Sequence, residues 1–417
     1  SSRMAASVAL DALVAHAERN GILVDEGVRV THTPHEGYGL MAEKRLDDGQ
    51  AVLRLPLGST LSLANRLPLE LAELLPSLDS THALALLLCV TPNLEAWTDT
   101  WPTQEQGSRG LCRTPEWEAL VAWYDELAGR HAECSASAAA AFDTIIQPFF
   151  AEHSQLVPVT YPRFSWAVSM VHSRAARVDL FGQERLVLMP LVDLLNHRAV
   201  PSCSLSFEPD SGEAGQLVVR TKHAVDAGEP LTICYGRKAN DELMASYGFA
   251  LASNQYDRAV LPLRVCGDAA LTMQKSAMLP RGTTRTTPAG DTEALLSFGW
   301  SAASVDDSAA HQPTCAEVEL PAEAWLVLRV AAATDMGEML AALSVAEEED
   351  PSSQSGWELL RTACEAQLAA LPTETSAEAE TDGRGSGASA AAALAATEAR
   401  RALLKTAAAA ACTACGA

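Results

Sequence analysis

The run Asp193-Leu194-Leu195-Asn196-His197, with Tyr235-Gly236 and then Glu242-Leu243-Met244-Ala245-Ser246-Tyr247-Gly248-Phe249 downstream, constrains this chain more than any other feature. It sets two adjacent polar side chains, two tyrosines and a glycine turn in one short region. Asparagine offers both a donor and an acceptor, which suits the amino and carboxylate groups of an amino-acid-like ligand. Far upstream, Glu36-Gly37-Tyr38-Gly39-Leu40 suits a tight strand entry whose bare backbone can approach a ligand. Taken singly, each piece has a plain structural alternative: a turn, a hydrogen-bonded Asn-His pair, a core tyrosine. His197 beside Cys203 or Cys234 also sketches a thiol hydrolase, but no oxyanion-type loop or third orienting group accompanies them.

The surrounding pattern reads as short strands around a helical block. Leu10, Leu13, Val14 and Ala17 share one helical face over residues 5–20, and Gly21 can close that helix. Strand-like pieces follow at 22–24, 28–30, 39–42 and 51–55, bounded by Gly, Pro or Asp. Helices are expected over 69–75, 82–90 and 135–150, and from Thr114-Pro115, a strong start that places Trp117, Leu120, Val121 and Tyr124 on one face. Pro162 opens another helix through Arg174. Strands resume at 185–189, 202–207, 216–220 and 231–234, and Asn240 can cap a short helix ended by Gly248. One more strand is expected over 259–265. Residues 267–318 read as loop-rich, with an exposed turn at 280–284. Helices dominate from Pro321, interrupted by a polar linker over 374–389.

Length and charge narrow the class. A chain of 417 residues exceeds one ordinary core, so two domains are expected. Its 53 acidic and 30 basic residues give a formal charge of -23, which repels phosphate backbones and argues against nucleic acid as a direct partner. Ten irregularly spaced cysteines read as free thiols of a reducing compartment; the lone Cys412-Thr413-Ala414-Cys415 has no second pair to make a zinc site. No apolar run of transmembrane length is present, and residues 1–10 lack a secretory signal.

Ordered along the chain, Glu36 to Leu40, Trp166 to Arg174, Leu188 to His197 and Tyr235 to Phe249 resemble the SET-domain protein methyltransferases, within them the Rubisco large-subunit lysine methyltransferase-like family. The likeness spans roughly residues 20–410. It implies an α+β class: a β-rich SET fold with a pseudoknot crossing over 20–250, a helical insert at about 66–180, and a mostly α-helical substrate-binding domain over 255–410. It implies S-adenosyl-L-methionine as cofactor, no metal, and a monomer acting on a non-histone protein. Carried over by position, Glu36, Gly37, Tyr38, Asn196, His197, Tyr247 and Phe249 would bind the cofactor, Tyr235 would be catalytic, and Arg174 and Asp193 would lie by the acceptor channel. The implied activity is lysine N-methylation. A histidine acceptor, as in one branch of the family, and a non-catalytic SET-like binding protein are the alternatives. Rubisco large subunit or another plastid or cytosolic protein is compatible as partner, so chloroplast and cytoplasm both stay open. Arg198, the segment 97–106 and the linker 374–389 depart from the family pattern, and they bear on substrate choice more than on cofactor binding.

The chemistry fits that pattern. Methyl transfer from a sulfonium is an in-line displacement by a neutral nitrogen approaching to about 3 Å. A free lysine has a pKa of about 10.4. A dry channel beside a cation lowers it by desolvation and like-charge repulsion.

Overall fold

The computed structural model of this protein describes residues 2–33, 37–64, 69–103, 125–209, 215–251, 254–265, 267–279, 284–286, 292–300, 318–319, 322–333, 335–344, 354–371 and 387–414. Its contacts separate two compact units: Ser1–Arg237 with Glu242–Gly248 and Ser386–Ser389, and Lys238–Asp241 with Phe249–Gly385 and Ala390–Ala417.

In the first unit the helix Ser2–Arg19 buries Leu13 and Ala17, while Val14 stays partly exposed. Gly21, at φ 73°, ends it with its N–H on the Glu18 carbonyl. Among the described residues, ten strands follow: β1 (Leu23–Val24), β2 (Val28–Thr33), β3 (Gly37–Ala42), β4 (Ala51–Pro56), β5 (Ala176–Leu180), β6 (Gln183–Val187), β7 (Asn196–His197), β8 (Cys203–Pro209), β9 (Gly215–Thr221) and β10 (Pro230–Ile233). They form small sheets ordered β1-β4-β9-β8 and β2-β3-β10-β7, plus the hairpin β5-β6. Both central strands carry consecutive buried residues: Val52, Leu53 and Leu55 of β4 and Leu217, Val218 and Val219 of β9 are fully buried, and the β4–β9 register shifts at a bulge between Ala51 and Leu53. The second sheet matters most for function. β3 joins β10 antiparallel, Leu40 opposite Leu231, and β10 joins the two-residue β7 in parallel, Thr232 opposite Asn196 and Ile233 opposite His197.

Between β4 and β5 lies the helical block. The helix Ser80–Val90 starts at Asp79, whose carboxylate accepts the N–H groups of Thr81 and His82. Its Leu84, Leu86, Leu87 and Leu88 have no exposure. The helix Tyr161–Arg174 carries Pro162 in its first turn, where the missing N–H costs nothing. Residues 125–152 form one helical run whose middle, Phe142–Ile146, widens to a π turn. The helix expected over 69–75 is instead two 3-10 turns, Leu69–Leu71 and Leu75–Ser77; Pro76 lacks the N–H that an α-helix would need. The helix expected from Thr114 falls outside the described residues.

The second unit holds its own core and its own sheet, which corrects the loop-rich expectation for 267–318. Here β11 (Arg258–Arg264), β12 (Thr284–Thr286), β13 (Thr292–Trp300) and β14 (Val318–Glu319) pair in the order β11-β13-β12, with β14 also on β13. The helix Ala269–Met278 precedes β12, capped by the Asp268 carboxylate on the Leu271 N–H. Ala259, Leu261, Ala294 and Leu296 meet Val327, Leu328, Leu360, Cys364, Leu403 and Leu404 from the helices Ala322–Ala332, Gln354–Ala370 and Gly387–Ala414. Lys275 is fully buried, and its ammonium donates to the carbonyls of Ala331 and Ala333 at a helix C-terminus. Most of the expected linker lies outside the described residues.

Candidate functional site

The parallel pairing of β7 with β10 brings together residues far apart in sequence. Tyr235 lies two residues beyond the end of β10, beside His197, which pairs with Ile233. Its backbone N–H donates to Nδ1 of His197 at 3.0 Å, and its hydroxyl donates to the Leu195 carbonyl at 2.8 Å. The His197 and Tyr235 rings lie 5.3 Å apart, and the Tyr247 ring lies 4.6 Å from that of Tyr235. Glycines at φ 109° and 81°, Gly236 and Gly248, follow the two tyrosines and turn the chain away.

Electrostatics fix the protonation states. Burial, aided by the neighbouring Arg198 cation, lowers the His197 pKa to about 4, so the ring is neutral near pH 7. Since Nδ1 accepts the Tyr235 N–H, the ring proton belongs on Nε2. Burial raises the Tyr235 phenol well above its ordinary value, and Arg174 only partly opposes this. Burial likewise lifts Tyr247 to about 12, with Cys234 and Glu242 adding to the rise. Both phenols stay protonated at physiological pH, so neither serves as a general base.

The glycine segment of β3 closes one side. A Cβ at Gly39 would stand 3.0 Å from Nδ2 of Asn196, a close approach that the carboxamide would have to accommodate by shifting a few tenths of an ångström. Nδ2 of Asn196 makes a long contact, 3.4 Å, with the Tyr38 carbonyl. Gly37 has φ 70° and nothing within 4 Å of where a Cβ would stand. The result is open space over bare backbone, beside a half-buried carboxamide.

Arg174 and Asp193 form a layer beneath. The Asp193 side chain has no exposure; its Oδ2 accepts Nε1 of Trp97 at 3.1 Å, Nε1 of Trp101 at 2.6 Å and Nη1 of Arg174 at 3.4 Å. Burial raises the Asp193 pKa, and Arg174 and the indole donors oppose it. Arg174 also donates to the Asp193 carbonyl at 3.2 Å and lies 5.3 Å from the Trp101 ring centroid. The two tryptophans were missing from the residues picked by sequence. Their only sequence signal was a pair of large amphipathic rings spaced to share one face of a helical turn. Glu36 lies outside the described residues. Phe249 belongs to the second unit and is half-buried. Cavities of about 850 and 330 Å³ lie elsewhere in the first unit; Tyr235 lines neither, though Trp97 lines the smaller.

The same residues account for the family match. Residues 37–236, from the glycine segment through Tyr235-Gly236, match the family model of the SET domain. The chain carries a SET domain. A solved SET domain of the Rubisco methyltransferase LSMT, bound to lysine and AdoHcy, superposes with a TM-score of 0.67 at 18% identity, covering 97% of this chain and 91% of that one. The fold is therefore that of the LSMT structures, α+β with a helix-rich C-terminal region. In sequence, the chain is similar to the actin-histidine N-methyltransferase of Homo sapiens: 27% identity over 294 residues, 64% of this chain and 47% of the relative. It is also similar to the ribosomal lysine N-methyltransferase set10 of Schizosaccharomyces pombe, 28% over 123 residues, 29% of this chain and 22% of that protein. The chain thus spans less than half the length of these curated relatives.

Proposed function

We propose that this protein is an S-adenosyl-L-methionine-dependent protein N-methyltransferase whose acceptor is a lysine side chain. The observation that carries the reading is the Tyr235 phenol, held by the Leu195 carbonyl and the His197 ring within a SET domain. The residues present fit the cofactor. Asn196 offers donor and acceptor together, and the open backbone at Gly37-Tyr38-Gly39 leaves a cradle that a side chain would fill. On this reading Gly37, Tyr38, Asn196, His197 and Tyr247 hold the cofactor. When bound, it supplies a methyl group activated by a sulfonium.

The chain's own part is alignment and exclusion of water. A phenol whose proton is committed to a carbonyl presents its oxygen only as an acceptor. Tyr235 therefore orients an amine N–H, or the polarised C–H bonds of a methyl, without taking up a proton. The buried surroundings that raise both phenols also disfavour an ammonium, so an incoming lysine enters neutral. Nothing in that scheme calls for a metal.

A second reading, transfer to a histidine ring nitrogen, is favoured by the length of the similarity to the actin-histidine enzyme. Incubation with labelled cofactor and a fractionated lysate, followed by mass spectrometry of the labelled protein, decides between them. Methyl-lysine supports the first reading and methyl-histidine the second. If calorimetry detects no cofactor binding and no protein is labelled, the non-catalytic alternative stands instead.

A further inference from the structure

Asp193 is positioned to do something other than touch an acceptor. Its carboxylate is wholly enclosed, and the three donors around Oδ2 all come from this chain. Distances of 3.1 and 2.6 Å from the indoles are ordinary to short hydrogen bonds, whereas 3.4 Å from Arg174 is a looser ion pair. Oδ1 is buried and has no hydrogen-bond partner, so the whole arrangement runs through one oxygen. Nε of Arg174 is also buried without a partner. Loss of one indole donor leaves Oδ2 with the other indole and the looser Arg174 contact.

The held segment is the one that holds Tyr235. Asp193 is the middle residue of the 3-10 turn Val192–Leu194, which the Leu195 N–H closes on the Val192 carbonyl. The turn begins after Leu191, at φ 68°, a backbone conformation a leucine adopts only under constraint from its surroundings. Arg174 grips the same turn twice, at the Asp193 carbonyl and at Oδ2. The very next carbonyl after the turn, that of Leu195, accepts the Tyr235 hydroxyl. Trp97 and Trp101 meet edge to face at 5.2 Å, and Trp101 also packs 6.0 Å from Trp166, so the two donors are themselves fixed by packing.

We infer that Asp193 is a positioning residue. Its carboxylate, clamped by the Trp97 and Trp101 indoles and by Arg174, locks the Val192–Leu195 turn so that the Leu195 carbonyl aims the Tyr235 phenol. This deepens the proposed methyl transfer and rests on it for its catalytic consequence, but the clamp itself is a statement about the turn. It reassigns Asp193 and Arg174 from the acceptor channel to the layer that supports it.

The test uses the full chain carrying W101F, which deletes one N–H and keeps an aromatic ring, alongside D193N. Hydrogen exchange read by mass spectrometry reports the clamp without any need for activity. In W101F the peptides spanning 192–197 and 233–236 should exchange about tenfold faster or more, while peptides from β4 and β9 are unchanged. Unchanged exchange at 192–197 overturns the inference. So does faster exchange everywhere, since that is a general loss of stability.

Kinetics then test the catalytic consequence. W101F should lower kcat about tenfold or more, with cofactor affinity and the KM for the protein substrate within about twofold. A raised KM at unchanged kcat would instead place this cluster against the acceptor and overturn the positioning role. Wild-type protein that binds no cofactor and transfers no methyl sinks the proposed function, and the exchange data still decide the clamp. D193N should reproduce the local exchange change; if it fails to fold, W101F carries the test alone.

Discussion

At the scale of single residues, the site depends on two hydrogen bonds that Tyr235 donates, one from its hydroxyl and one from its amide. Tyr235→Phe removes the first and keeps the ring between His197 and Tyr247. Methyl transfer should fall about 100-fold while cofactor affinity in calorimetry changes little, because alignment is lost and binding is not. Retention of full activity would remove Tyr235 from the chemistry. The second bond depends on a neutral imidazole. The His197 pKa of about 4 lies below the ordinary histidine value, so between these limits the unfolded chain binds the proton and the folded one does not. Stability from this group is present above about pH 6.5 and is lost as pH falls through 4. A histidine-detected NMR titration should show the His197 ring still neutral at pH 5. A His197 midpoint near 6.5 would contradict the buried acceptor geometry.

At the scale of elements, local chemistry decides how much can be read from sequence. The helix Ser80–Val90 is legible over residues 82–90, and the structure adds its first turn, capped by Asp79. Asp79→Ala should destabilise the first unit by about 1 kcal/mol, read as a lower denaturant midpoint at constant slope. No change would mean that the cap bonds to Thr81 and His82 are matched by water. β3 and β4 were equally legible as short strand-like pieces bounded by Gly, Pro or Asp, and β9 and β10 as short apolar runs. The hairpin β5-β6 was half missed: its turn is Phe181-Gly182, both at positive φ, and a phenylalanine does not signal that conformation. The pair β12-β13 was lost among threonines and alanines. Such residues look like loop until a partner strand supplies the ladder, here Leu261 opposite Leu296 and Thr284 opposite Ala294. The site shows the same division. Tyr235, Asn196 and His197 were readable as an ordered motif, and one strand register suffices to assemble them. The indole clamp on Asp193 was not readable, since it joins Trp97 and Trp101 to a turn distant in sequence.

At the scale of the whole molecule, two separately built cores imply two pH dependences. The second unit contains a buried carboxyl at Asp257 that accepts both the N–H and the side-chain amide of Asn240, while Asn240 also bridges to Leu251 and Asn254. Burial is the main influence and lifts the Asp257 pKa to about 6, against the pull of those hydrogen bonds and of Arg400, with Asp241 adding to the rise. The folded value then exceeds the unfolded one, so the folded state binds the extra proton between them. Stability from Asp257 is greatest below about pH 4 and is lost as pH rises through 6. Two pH units of displacement correspond to about 3 kcal/mol, an order-of-magnitude figure. Scanning calorimetry at pH 5 and pH 7.5 should therefore show the transition of the second unit moving up on acidification. In Asp257→Asn that difference should shrink, because the amide keeps an acceptor for Asn240 and carries no charge to bury. His197 in the first unit works in the opposite direction over the same interval, whereas Asp193 there works with Asp257, so the first unit should respond less. A second-unit transition that moves down on acidification, or an Asp257→Asn protein with an undiminished pH response, would show that some other group governs the acid side of this fold.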